Sequence, residues 1–157
     1  MSVDMDVLEA IAAYLAGESS LDGISIIMGD PDASAPEDIP ALWINPYNMV
    51  PSARMAAGPG AADIAEYTFE VLLALDLSSY GPPVQTSGQT YYEQPGWRAL
   101  IDATADVVSA MRANITLSGA VASSKLKEVR WGPLVIDNKS YRAARMAYET
   151  TVRRARS

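Results

Sequence analysis

The sequence predicts an α+β protein, with a mixed or antiparallel sheet of long strands packed by two helices. Three observations carry this expectation. Apolar residues recur at helical spacing near the N-terminus, they do so again over about residues 96–113, and between these stretches a strong two-residue alternation runs from Glu66 to Ser78. The 157 residues fit one domain, 1–157, which can bury a core without staples.

Met5, Leu8, Ile11, Ala12 and Leu15 share one helical face, so a helix is predicted from Val3 to Ala16, with Gly17 as a left-handed stop. Gly23 to Met28 is short and β-branched and reads as a strand, ended by the turn residues Gly29, Asp30, Pro31 and Asp32. Ala41 to Asn45, held between Pro40 and Pro46, reads as a second short strand that stops abruptly at both ends. Residues 46–63 carry Pro46, Pro51, Gly58, Pro59 and Gly60 without a sustained period, which predicts a long loop rich in apolar groups.

From Glu66 to Ser78, Tyr67, Phe69, Val71, Leu73, Leu75 and Leu77 oppose Glu66, Thr68, Glu70 and Asp76, giving the clearest strand in the chain. Residues 80–94 are polar and turn-rich, a second long loop. Trp97, Leu100, Ile101, Ala105, Val108 and Met111 then mark a helix from about Gly96 to Ala113. Leu126 to Trp131 alternates and is broken by Gly132-Pro133. From Lys139 onward, Ala, Arg and Met favour helix while the alternation of Arg142, Ala144, Met146 and Tyr148 favours strand, so pattern alone leaves both open. Strands of about 13 residues would span roughly 43 Å, as long as a domain of this size is wide, about 40 Å. Their ends are therefore expected to meet other subunits.

Composition removes much chemistry. With no Cys and no His there are no disulfides, thiolate nucleophiles, imidazole bases or N/S metal ligands. The net charge of −7 argues against general nucleic-acid affinity. No apolar run approaches a membrane span, and the acidic start at Asp4 and Asp6 is unlike a signal peptide, so the chain is expected to stay in the compartment that makes it. Charge is divided along the chain. Residues 1–78 hold 13 acids against Arg54 alone, a balance of −12, whereas residues 79–157 hold 6 acids and 11 bases, a balance of +5. The halves either pair across the fold or set an acidic face of one copy against a basic face of the next.

Candidate catalytic sets fail on spacing or context. Glu66 and Glu70 lie about 13 Å apart along a strand, beyond the reach of a glycosidase pair, and read as solvated. Asp30, Asp32, Glu37 and Asp38 lack the spacing and glycine of a calcium loop. Gly58-Pro-Gly60 has no following Lys-Ser/Thr pair, and Ser123-Ser124-Lys125 lacks any nucleophile elbow. No catalytic, cofactor-binding or metal-binding residue is assigned, and no cofactor is expected. The candidates for protein contact are Met49, Arg54, Met55, Tyr91, Tyr92, Arg142 and Arg145. Trp97 reads as part of the helix's core-facing stripe.

Three segments, Asp38-Ile-Pro-Ala-Leu-Trp-Ile, Glu66-Tyr-Thr-Phe-Glu-Val-Leu-Leu and Tyr141-Arg-Ala-Ala-Arg-Met-Ala-Tyr-Glu-Thr-Thr-Val-Arg, together with the order of elements, resemble the tail terminator proteins of long-tailed bacteriophages, the lambda tail terminator-like family. The resemblance covers nearly the whole chain. It implies a tail-terminator-like fold whose last segment is a strand. It also implies a structural virion protein, assembled in the host bacterial cytoplasm, that forms a homo-oligomeric ring, a hexamer, on the tail tube. Such a ring ends tube polymerisation and joins the head or neck, with no catalytic residues and no sequence-specific nucleic-acid contact, though DNA can pass through it. The partners implied are the tail tube protein and a head-tail connector or neck protein. The alternatives are a connector or neck component itself, a carboxylate-dependent hydrolase, and a small-ligand or peptide-binding module using the Tyr-rich loop.

Overall fold

The structure, a computed structural model, describes residues 3–31, 39–55 and 62–155; for 3–4, 46–55, 62–65, 67 and 153–155 it describes the backbone path alone. Two helices, α1 (Val3–Ala16) and α2 (Pro95–Ala113), accompany five strands: β1 (Ser25–Met28), β2 (Ala41–Met55), β3 (Ala62–Leu75), β4 (Ser123–Ile136) and β5 (Lys139–Ala155). The strands form one mixed sheet in the order β1-β2-β3-β5-β4, an α+β fold. Among the described residues only the β1–β2 pair is parallel.

The helices pack on one face of the sheet. Val7, Leu8, Ile11 and Leu15 of α1 are buried against Leu42, Ile44, Phe69, Val71 and Leu73, while Leu100, Val107 and Met111 of α2 reach Ala144, Met146 and Tyr148. Met5, expected on the α1 stripe, is 39% exposed, and Val7 takes its place, because the 7-8-11-15 spacing points more squarely at the sheet. On α2 the buried line is Leu100, Thr104, Val107 and Met111, one position off the expected stripe. Thr104 is tolerated there because its hydroxyl donates to the Leu100 carbonyl at 2.7 Å. The Tyr14 hydroxyl joins the two helices by donating to the Ala110 carbonyl at 2.7 Å.

Gly17 does end α1, but without a left-handed turn: it is not among the residues of positive φ, and the chain passes directly into a 3-10 turn at Ser19–Leu21. Gly96, in the first turn of α2, meets a stricter demand. A Cβ at this position would lie 2.9 Å from the Leu77 Cα, so only glycine lets α2 approach the 3-10 turn at Leu77–Tyr80.

Three expectations about strand ends are corrected, all for one reason. The second strand does not stop at Pro46, residues 46–63 are not one long loop, and Gly132-Pro133 does not end β4. β2 runs to Met55, pairing Pro46 with Phe69 and Pro51 with Ala65, and β3 starts at Ala62. β4 runs through Pro133, which stands opposite Arg142, to Ile136. A proline lacks the N–H for a ladder bond, so it is tolerated where one side of a strand is unpaired. β4 is an edge strand, and β2 becomes one beyond Ile44, where its pairing with β1 ends. Irregular register between Pro46 and Asn48 absorbs the first proline.

The segment left open by pattern, β5, is the longest strand, 17 residues, and its neighbours explain why. It lies between β3 and β4, with both edges paired. Tertiary pairing overrides the helical propensity of its Ala, Arg and Met. The β4–β5 hairpin closes on Asp137 and Asn138, both left-handed at φ 51 and 65, the geometry of a two-residue type I′ turn.

The other sheet face carries a smaller apolar cluster of Ala41, Trp43, Leu72, Ala74, Leu134, Ile136, Tyr141 and Ala143. This accounts for the unbroken run Val71 to Leu75: here β3 is buried on both faces, and alternation gives way to a continuous apolar sequence.

Candidate assembly surface

Beyond the Trp43 cluster, the sheet face turned away from the helices becomes a charged band. Register places Leu72, Arg145 and Arg130 side by side on β3, β5 and β4, and Leu72 belongs to the cluster on that face. Two arginines directly opposite would repel. Each is taken by its own carboxylate: Arg145 by Glu70 at 2.9 Å, and Arg130 by Glu128 at 3.0 Å. Lys127 and Glu149 continue the band at 3.2 Å. Glu70, Glu128, Arg130, Arg145 and Ala147 enclose a shallow hollow of about 110 Å³ between the pairs. These pairs are solvent-exposed enough to contribute little to stability, on the order of 0–1 kcal/mol each. They leave the band patterned in charge and open to re-pairing.

Arg142 faces the other way. Its guanidinium lies 4.8 Å from the centroid of the Trp97 ring, and Trp97 meets Trp131 edge-on at 6.1 Å and 62°. Trp97 also packs against the main core, in keeping with its expected place on the helix stripe. Arg142 and Arg145, grouped by sequence as contact candidates, thus lie on opposite faces of the sheet and do not form one patch.

Tyr91 and Tyr92 sit on the 80–94 loop, 57% and 69% exposed. That loop is tied at its neck. Val84 and Glu93 exchange two backbone hydrogen bonds of 2.8 and 2.7 Å, and Glu93 holds Arg98 of α2 at 2.6 Å. Inside it, Gln85 donates to the Gln89 carbonyl, and Gln89 donates to the Tyr91 hydroxyl at 3.0 Å. Two aromatic rings are therefore presented to solvent from a fixed base. Glu93 is held below the usual carboxylate range by the Arg98 hydrogen bond.

Met49 lies opposite Tyr67 in the β2–β3 ladder, Met55 opposite Asp63, and Arg54 within the irregular register between Pro51 and Met55. Their side chains, like Asp32 to Asp38 and Gly58-Pro-Gly60, lie outside what is described. Where β3 ends, Asp76 accepts hydrogen bonds from Ser78 and from Lys139 of β5, the latter at 2.8 Å, and these pull its carboxyl below the ordinary value.

Among the described residues no three acids gather closely enough to hold a metal ion, and no helix is long and apolar enough to cross a membrane. Ser124 of the Ser-Ser-Lys segment donates its hydroxyl to the Ile115 carbonyl at 2.9 Å. The band of ion pairs was the least visible feature in the sequence. Glu70 reads there as a lone solvated acid, because its partner Arg145 is 75 positions away. Comparison of the sequence with protein-family models and with curated proteins returns no significant match.

Proposed function

We propose that this protein is a structural subunit of a bacteriophage virion, a tail terminator that assembles as a hexameric ring, caps the tail tube and offers a surface to the neck. The observation that carries the reading is where the three tail-terminator-like segments fall. Of the first segment Ala41–Ile44 lies on β2, and Glu66–Leu73 and Tyr141–Arg153 lie on β3 and β5, three adjacent strands at the centre of one sheet. The resemblance therefore follows a contiguous structural unit and not scattered pieces of chain.

Support also comes from the surface. A sheet with strands of 14 to 17 residues, helices on one face and a patterned charged band on the other offers extended contact area for neighbouring copies. The exposed tyrosines of the 80–94 loop suit a partner protein. In this reading the protein acts by binding and catalyses nothing, and its place is the finished tail.

The experiment is light scattering coupled to size exclusion, followed by addition of the protein to growing tail tubes. A particle of six times 16.8 kDa that arrests tube elongation supports the reading. A ring that binds the head side and leaves elongation unchanged makes it a neck component instead. A monomer without affinity for tube ends overturns both.

A further inference from the structure

A cavity of about 240 Å³ lies beneath the C-terminal end of α2, lined by Val108, Met111, Arg112, Ile115, Ser124, Lys125, Leu126 and Tyr148. It is separate from the charged band and from the tyrosine loop. Its floor is Met111 and Tyr148, 1% and 3% exposed, and its mouth is formed by the exposed Arg112 and Ile115.

Two of its polar groups are unused. The Tyr148 hydroxyl is fully buried and has no hydrogen-bond partner among the described residues. Leaving a buried hydroxyl unpaired costs about 1–3 kcal/mol, so natural proteins seldom keep one unless something meets it. Arg112 makes no ion pair or hydrogen bond among the described residues, although it is near enough for its charge to act on Tyr148. Among the described residues no acid lines the cavity, while the cation Arg112 does. Lys125 stands opposite Glu149 in the ladder, which puts its side chain on the charged-band face and leaves Arg112 as the cation of the cavity.

We propose that this cavity binds a small organic carboxylate with a hydrocarbon tail. The Tyr148 hydroxyl donates to one carboxylate oxygen, Arg112 pairs with the charge, and Val108, Met111 and Leu126 enclose the tail. Tyr148 is suited to this role as a donor. Burial pushes its phenol up to about 12, against the opposing pull of Arg112, so it keeps its proton at neutral pH. Size sets the class further. Since a cavity of about 150 Å³ holds benzene, this one admits roughly ten non-hydrogen atoms, the size of an eight-carbon carboxylate. Inorganic phosphate offers nothing to the apolar walls.

The test is titration of the full-length protein with octanoate, 1-octanol and inorganic phosphate, followed by calorimetry and by NMR of the methionine methyl groups. Octanoate is expected to saturate in the submillimolar range, on the order of 0.1–1 mM for a ligand of this size, and to move the Met111 signal. Tyr148→Phe and Arg112→Gln should each weaken it roughly tenfold, as loss of a charge-assisted hydrogen bond does. Phenylalanine fits the same space and Arg112 is exposed, so both variants should keep the fold, which their circular dichroism checks. Absence of saturable octanoate binding overturns the proposal. So does equal binding of 1-octanol, or an unchanged affinity in Tyr148→Phe, either of which would make the hydroxyl's partner no more than water.

Discussion

The guanidinium of Arg142 lies 4.8 Å from the centre of the Trp97 ring, pinning the start of β5 to the first turn of α2. The stack also brings Trp131 of the edge strand β4 into contact through Trp97. Arg142→Ala should therefore cost about 0.5–1 kcal/mol and alter tryptophan fluorescence. Thermal denaturation followed by fluorescence measures both. An unchanged emission spectrum would show that the stack does not persist in solution.

Gly96→Ala should be worse, although alanine is ordinarily the better helix former. The new methyl meets Leu77 backbone at 2.9 Å, so the 3-10 turn must move away from α2. A loss of about 1–3 kcal/mol is expected from overpacking, opposite in sign to the gain that helix propensity alone forecasts. Urea denaturation gives the sign directly.

Asn138→Gly should stabilise. Asn138 holds φ 65 in the β4–β5 turn, where glycine is the favoured second residue of a type I′ pair. A gain of about 0.5–1 kcal/mol corresponds to roughly 1–4 °C in Tm for a chain of this length. Differential scanning calorimetry resolves a change of that size.

The Asp76–Lys139 pair gives a signed dependence on pH. Hydrogen bonds from Lys139 and Ser78 place the folded carboxyl below its ordinary value of 3.8. Its stabilisation is thus fully present above that value and is lost as pH falls through the lower, folded one. Because Lys139 is half exposed, the effect is small, under about 1 kcal/mol. Asp76→Asn should flatten the acid limb of a stability-against-pH curve by that amount and leave neutral pH stability lowered.

Tyr91 and Tyr92 separate stability from assembly. Both are mostly exposed, so the double alanine variant should unfold within about 0.5 kcal/mol of the parent. Under the proposed function, tube capping in the elongation assay should nevertheless fall. Unaltered capping would remove the loop from the contact surface.

Much of this architecture is readable from spacing alone. Both helices and the body of the β3 strand follow from apolar periods that local sequence expresses directly, although β3 ends at Leu75, and Leu77 and Ser78, expected in it, lie in a 3-10 turn. The α1 helix begins and ends where its period does. The full extent of β2 and β4 is not readable, because Pro46, Pro51 and Pro133 signal termination unless the strand is known to lie at an edge. Edge position is a property of the whole sheet. β5 was ambiguous for a related reason: its helix formers are overruled by partners 67 or more positions away in β3. The exposed tyrosines were visible because their loop is polar and local. The charged band and the Tyr148 cavity were not, since each is assembled from strands and a helix far apart in the chain. A buried tyrosine on an alternating strand looks the same in sequence whether or not its hydroxyl is met.

The middle of the sheet also governs how the molecule is made. β2 with β3, and β4 with β5, are neighbours in the chain and can zip early from short-range encounters. The β3–β5 seam instead joins Leu75 to Arg142 and Ala62 to Ala155, and closing so long an intervening chain is entropically slow. Until that seam closes, four long strands exist as two ribbons with their inner edges bare. A copy meeting another at that moment can exchange a ribbon as readily as fold, so the yield of native protein should fall steeply with the concentration at which refolding is begun.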